Sequence, residues 1–150
     1  MARTNTVSPG VFYKDPAAAI DFLEAAFGFE LTLRVTDDEG RIGHAQMSFG
    51  DGGFSLGPVD WAPWAKSPQQ LDGANTGTVH IQVDDVDAHH ARAVAAGATI
   101  EMAPTDQFYG DRTYRAVDPE GHRWTFAQTV RTLSDDEMSE GEWSVETIKP

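Results

Sequence analysis

Three pairs of turn-forming residues recur at one spacing along this chain. Asp15 and Asp84, Gly28 and Gly97, and Gly52 and Gly121 each lie 69 residues apart. A fixed offset marks an internal duplication, whose copies bury their apolar faces against one another. Asp15-Pro16 opens an Ala-rich run that ends at Gly28, and Asp84-Asp85-Val86-Asp87 opens a second that ends at Gly97. Asp at the start, Pro in the first turn and Gly just past the end are helix punctuation.

Strand-like segments flank each helix. Pro9 to Tyr13 precedes the first, and Glu30 to Thr36, Gly43 to Phe49 and Gly53 to Leu56 follow it. Thr78 to Val83, with Val79, Ile81 and Val83 alternating against His80 and Gln82, precedes the second. Thr99 to Met102, Arg112 to Val117 and Arg123 to Gln128 complete that half. The fold expected is α+β: two tandem βαβββ modules forming a curved mixed sheet around a cleft. The 150 residues suit a single domain. Module one covers about 8–58, a linker about 59–76, module two about 77–130 and an acidic tail 131–150. Ser134 and Glu137 in that tail have capping-box spacing.

Composition narrows the function. A formal net charge of -13, with Lys and Arg scattered singly, disfavours nucleic acid and anionic membrane surfaces. It favours a neutral or cationic small molecule, unless a pocket arginine overrides the overall sign. No apolar run approaches the roughly 20 residues a membrane span needs, and Met1 to Val11 does not read as a secretory signal. The chain has no cysteine, which removes thiol chemistry and fits a cytoplasmic protein. Gly-x-Ser-x-Gly and Walker-type phosphate loops are absent as well.

The duplication resembles the vicinal oxygen chelate superfamily of glyoxalases, bleomycin-resistance proteins and extradiol dioxygenases. The similarity rests on Asp15-Pro-Ala-Ala-Ala-Ile-Asp-Phe22, Val83-Asp-Asp-Val-Asp87 with Ala95-Ala-Gly-Ala98, Tyr109-Gly-Asp-Arg112 and Asp118-Pro-Glu-Gly-His-Arg-Trp124. These motifs point to its PhnB-like or bleomycin-resistance-like branch. In the family's metal enzymes each half supplies one ligand from its first strand and one from its last. The 69-residue offset maps those positions onto Val11, Leu56, His80 and Thr125, of which only His80 is a good metal ligand.

The function expected is therefore a metal-independent binder, with no cofactor, for an aromatic or cationic compound such as an antibiotic. Homodimerisation is implied by the resemblance. The alternative is a lyase, isomerase or dioxygenase-like enzyme using His44 and His80, with or without a divalent metal. Alternation places His44, Gln46, His80 and Gln82 on the concave side, where no Asp or Glu is expected. Trp61 and Trp64 are candidates for an aromatic wall, and Tyr109 and Arg112 for the pocket edge, Arg112 alternatively fixing its loop through a carboxylate. Tyr13, Phe54 and Arg115 are weaker pocket candidates. Phe12, Met47 and Trp124 are assigned to the core. His89 and His90 point about 100° apart and do not converge, and His122 is a turn residue. No catalytic residue is assigned.

Overall fold

The computed structural model describes residues 5–149, so part of the Met1 to Val11 segment lies outside the described residues. Module one runs β1 (Gly10–Tyr13), α1 (Pro16–Phe27), β2 (Glu30–Thr36), β3 (Ile42–Phe49) and β4 (Gly52–Pro58). Module two repeats it as β5 (Val79–Gln82), α2 (Val86–Ala95), β6 (Thr99–Asp106), β7 (Asp111–Val117) and β8 (Arg123–Thr129). Each module closes its own four-stranded mixed sheet, ordered β1-β4-β3-β2 and β5-β8-β7-β6. The first strand pairs parallel with the last, and the remaining pairs are antiparallel.

Local chemistry sets the helix limits. The Asp15 carboxylate accepts from the Ala18 amide at 3.0 Å, Pro16 occupies the first turn, and Gly28 ends α1 in the left-handed conformation, φ 75°. In α2 the cap is Asp85, accepting from Ala88 at 3.0 Å, rather than Asp84. The repeat thus runs at 70 residues through the first strand and helix start.

That extra residue changes which way side chains point. Val11 pairs with Leu56, and Leu56 with Ala45, while Ile81 pairs with Phe126, and Phe126 with Tyr114. These are the equivalent core-facing rows, so Val11 corresponds to Ile81 and Leu56 to Phe126, both at 70. A strand's side-chain period is two, so an offset short by one assigns the wrong face. Val11 and Leu56 therefore face the core, and Phe12 faces away from it. Tyr13 (1% exposed) and Phe54 (4% exposed) are core residues, as Met47 and Trp124 are.

Both helices pack against each other and against the core-facing sides of the sheets. Phe27 at the end of α1 and Phe29 just before β2 meet Trp124 and Phe126 of module two, with ring centroids 4.8–6.3 Å apart. Phe54 reaches Trp124 at 5.1 Å. Each such side chain contributes about 1.5–3 kcal/mol through burial. The last carbonyls of α1 are satisfied from α2. Arg92 donates to the Glu24 and Ala25 carbonyls, and His89 Nε2 lies 2.8 Å from the Phe27 carbonyl. One nitrogen of His89 thus joins the helices while Nδ1 meets the Tyr114 hydroxyl.

The turn between β7 and β8 locks the modules together. Buried Asp118 accepts from Tyr13 Oη (2.6 Å), Trp124 Nε1 (3.1 Å) and the amides of Glu120 and His122. The Glu120 carboxylate accepts the amides of Lys14 and Asp15, and His122 Nε2 meets the Phe12 carbonyl at 2.7 Å. His122 therefore anchors β1 as well as its own turn. In the tail, Ser134 and Glu137 form the expected capping box around the short α3 (Asp135–Met138), and Asp135 accepts from Thr147. No helix of the described residues is long and apolar enough to cross a membrane.

Candidate functional site

With the core between the sheets, alternate strand positions point outward. On module two, Cα pairing aligns Met102, Arg115, Thr125 and His80 across β6, β7, β8 and β5. The next row contains Thr113, Ala127 and Gln82, followed by Asp111 and Thr129. Arg115 Nε donates to Thr125 Oγ1 at 3.2 Å. Asp111 accepts from Thr129 at 2.9 Å and lies 3.4 Å from Gln82 Nε2. A carboxylate thus occupies this face, contrary to expectation, because β7 begins one residue earlier, at Asp111.

The outer face of module one is barer. Its rows are Leu33, Gln46, Ser55 and Gly10, then Val35 and His44. Gly57 and Phe12 pair directly, with Gly53 farther along β4 opposite Ser48. Glycine at 10 and 57 leaves part of this floor without side chains, while the Asn5 side chain lies against Gly53. Beside it Phe12 meets Trp61 and Trp64 edge-to-face at 6.2 and 5.7 Å, and the indoles lie 5.0 Å apart. Both remain open to solvent, at 61% and 66% exposure. Their loop is fixed by Asp60, which bonds Lys66 and Gln70 through its carboxylate and the Ala65 carbonyl through its amide. The Lys66 and Gln70 bonds hold the Asp60 carboxyl below its ordinary range.

Of the cavities that flank the junction of the modules, two adjoin candidate residues, Trp64 and His80 respectively. One, about 540 Å³, is lined by Val11, Phe12 and Trp64 together with Pro68, Val79 and Arg123. The other, about 640 Å³, places His80 and Gln82 beside the β3–β4 turn, Phe49 to Phe54. His44 and Gln46 line neither cavity; they stand half-buried on the outer face of module one. His44 and His80 thus belong to different sheets.

Tyr109 sits in the turn before β7, 38% exposed and edge-on to Phe108. Burial and the Asp111 charge push its hydroxyl pKa up, and Arg115 partly offsets them. Arg112 points to the helix side, bridging Asp87 and Asp106 at 3.1 Å. These ion pairs place its guanidinium across the sheet from His80, fixing the loop through carboxylates. Sequence alternation underweighted Arg115 and put Phe12 on the wrong face. The glycines of this floor were also missed, although Gly53 and Gly57 are visible two and six residues after Asp51.

The corrected positions for the family's metal ring are Gly10, Ser55, His80 and Thr125. They provide one imidazole, two hydroxyls and no carboxylate, a donor set that does not fit a divalent ion. Among the described residues no group of three or more His, Cys, Asp or Glu could hold a metal.

The Glyoxalase family model, described as the Glyoxalase/Bleomycin resistance protein/Dioxygenase superfamily, matches residues 5–126. An uncharacterized protein of Mycobacterium bovis, Mb0911c, is 37% identical over 137 residues, covering 88% of each chain. The crystal structure of TioX from Micromonospora sp. ML1 aligns with a TM-score of 0.67 at 33% identity, over 83% of this chain and 98% of that one. TnmS3 of Streptomyces sp. CB03234, described as an antibiotic binding protein, aligns with a TM-score of 0.63 at 26% identity, over 86% and 98%.

Proposed function

Because the chain belongs to the glyoxalase/bleomycin resistance/dioxygenase superfamily, we propose that it binds a planar aromatic small molecule, such as an antibiotic, without a metal. The observation that carries this is the Phe12, Trp61 and Trp64 corner beside a glycine floor. Exposed indoles held by a pinned loop offer a flat ligand stacking surface, and the lack of side chains at Gly10 and Gly57 leaves it room. The description of TnmS3 as an antibiotic binding protein supports the same class of ligand.

The binding unit is a homodimer in the cytoplasm. The core-facing sides of the two sheets share one interior, so their outer faces turn away from each other. A cleft walled by both kinds of face therefore takes module one from one copy and module two from another. The enzyme alternative has the same requirement, since His44 and His80 stand on separate sheets of one chain.

Tryptophan fluorescence titration with bleomycin and flat polycyclic antibiotics, with and without EDTA, tests the proposal. Saturable quenching is expected, unaffected by chelator and weakened roughly tenfold in Trp64→Ala. A stoichiometric divalent ion in the purified protein, or binding abolished by EDTA, would overturn it. Turnover lost in His80→Ala would favour the enzyme.

A further inference from the structure

Arg115 is placed differently from the other arginines whose side-chain bonds are described. Arg41, Arg112 and Arg123 are held by carboxylates, and Arg92 and Arg131 bond backbone carbonyls. Arg115 has no carboxylate partner among the described residues; its side-chain bond is the one from Nε to Thr125. That bond carries the guanidinium over β8, toward the strand bearing His80, which pairs with Thr125. Neighbouring strands lie about 4.8 Å apart, so the remaining N–H groups of Arg115 and the His80 ring share one patch of the outer face. Asp111, on the same face, is occupied by Gln82 and Thr129. A half-buried guanidinium with an open fork, in a chain of net charge -13, is a local positive site against an opposing field.

We propose that Arg115, with His80 and the Thr125 hydroxyl, receives an acidic oxygen of the ligand, a carboxylate or an ionised phenol or enol. This deepens the binding function proposed above and rests on it. The aromatic part of the ligand stacks on the Phe12–Trp61–Trp64 corner, and its oxygen is held by module two. The planar, bidentate geometry of guanidinium suits such a group better than an ammonium would. The overall charge then excludes polyanions while one arginine admits a single acidic group.

The test compares 9-anthracenecarboxylate with neutral 9-anthracenemethanol, two planar probes of similar size, by quenching of tryptophan fluorescence. The wild-type protein is expected to prefer the carboxylate by roughly tenfold, as for a charge-assisted hydrogen bond at a partly open site. That preference is expected to vanish in Arg115→Met, to shrink in Arg115→Lys and to fall with added salt, while affinity for the neutral probe stays within twofold. Trp64→Ala is expected to weaken both probes equally. Thermal unfolding of Arg115→Met and Arg115→Lys identifies a folding defect, and Arg115→Lys supplies the answer if the methionine variant unfolds. Equal affinity of the wild-type protein for the two probes, or a full preference surviving in the folded variants, overturns this inference and leaves the aromatic site standing. Failure of both probes to bind the wild-type protein overturns both.

Discussion

Asp118 is the residue whose removal most directly tests how the modules are joined. Asp118→Ala strands the Tyr13 hydroxyl and the Trp124 indole N–H, both on side chains at most 1% exposed. A buried donor left without a partner costs about 1–3 kcal/mol. Two such donors, with the Glu120 and His122 amides turning partly to water, bring the expected loss to about 3–4 kcal/mol. For a chain of this size that is a fall in Tm of about 10 °C. Removing one of 24 acidic residues relieves some self-repulsion, so Asp118→Asn, which keeps the shape and one carbonyl acceptor, is expected to lose about half as much. Urea unfolding of Asp118→Ala, Tyr13→Phe and the double variant isolates the pair. Once the carboxylate has gone, deleting the Tyr13 hydroxyl removes a stranded donor, and the double variant should be more stable than the sum predicts by about 1–2 kcal/mol. A loss below about 1 kcal/mol for Asp118→Ala, or additivity within about 0.5 kcal/mol, would refute the buried clamp.

Stability should also fall on the acid side through His89. Burial holds its pKa below the ordinary 6.5, although the Phe27 carbonyl opposes this by favouring the charged ring. The unfolded chain therefore takes up the proton first, and stability is lost as pH falls from about 6.5 toward the lower folded value. Urea midpoints between pH 5 and 8 should decline less steeply for His89→Gln than for the wild type; parallel profiles would remove His89 from the explanation. Gly110→Ala should release the C-terminal segment. Gly110 has φ 98°, and a Cβ there would lie 2.3 Å from the Arg131 carbonyl oxygen, a backbone atom that cannot rotate aside. The hydrogen bonds from the Val130 and Arg131 amides to Gly110 would break, and limited trypsin digestion should cut at Arg131 at least several-fold faster. Unchanged cleavage would contradict the close approach.

The element order was legible because its punctuation is local. Asp15, Pro16 and Gly28 act within one helical turn of where they stand, and hairpin turns advertise themselves by Gly and Asp. Side-chain direction was legible only where alternation was read within a strand. Val79, Ile81 and Val83 against His80 and Gln82 gave the right faces for β5, because the pattern carries its own phase. Phase carried from one module to the other failed, since Gly28 and Gly97 keep the 69 spacing while Asp15 matches Asp85 at 70. One extra residue before the second helix reversed Val11 and Phe12, a second between β7 and β8 reversed Leu56, and together they moved two of the four inferred metal-ring positions. Arg112 takes the alternative role the sequence offered, fixing its loop through carboxylates, although only the folded chain shows that these are Asp87 on α2 and Asp106.

The corrected phase gives the duplication its functional content. Gly10, Ser55 and Gln46 in module one occupy the places of His80, Thr125 and Arg115 in module two. One scaffold therefore presents two chemically different surfaces, one with glycine at 10 and 57 beside three aromatic rings, the other bearing an imidazole and an open guanidinium. A symmetric pair of faces would suit a symmetric ligand or a centrally chelated ion. Faces this unequal suit a molecule with a flat apolar end and a polar end, provided both meet in one cleft. In the homodimer proposed above a second chain brings them together, and ligand affinity should then fall when the protein is diluted below its dimer dissociation constant. Affinity independent of protein concentration across the monomer–dimer transition, followed by sedimentation velocity, would show that one chain suffices.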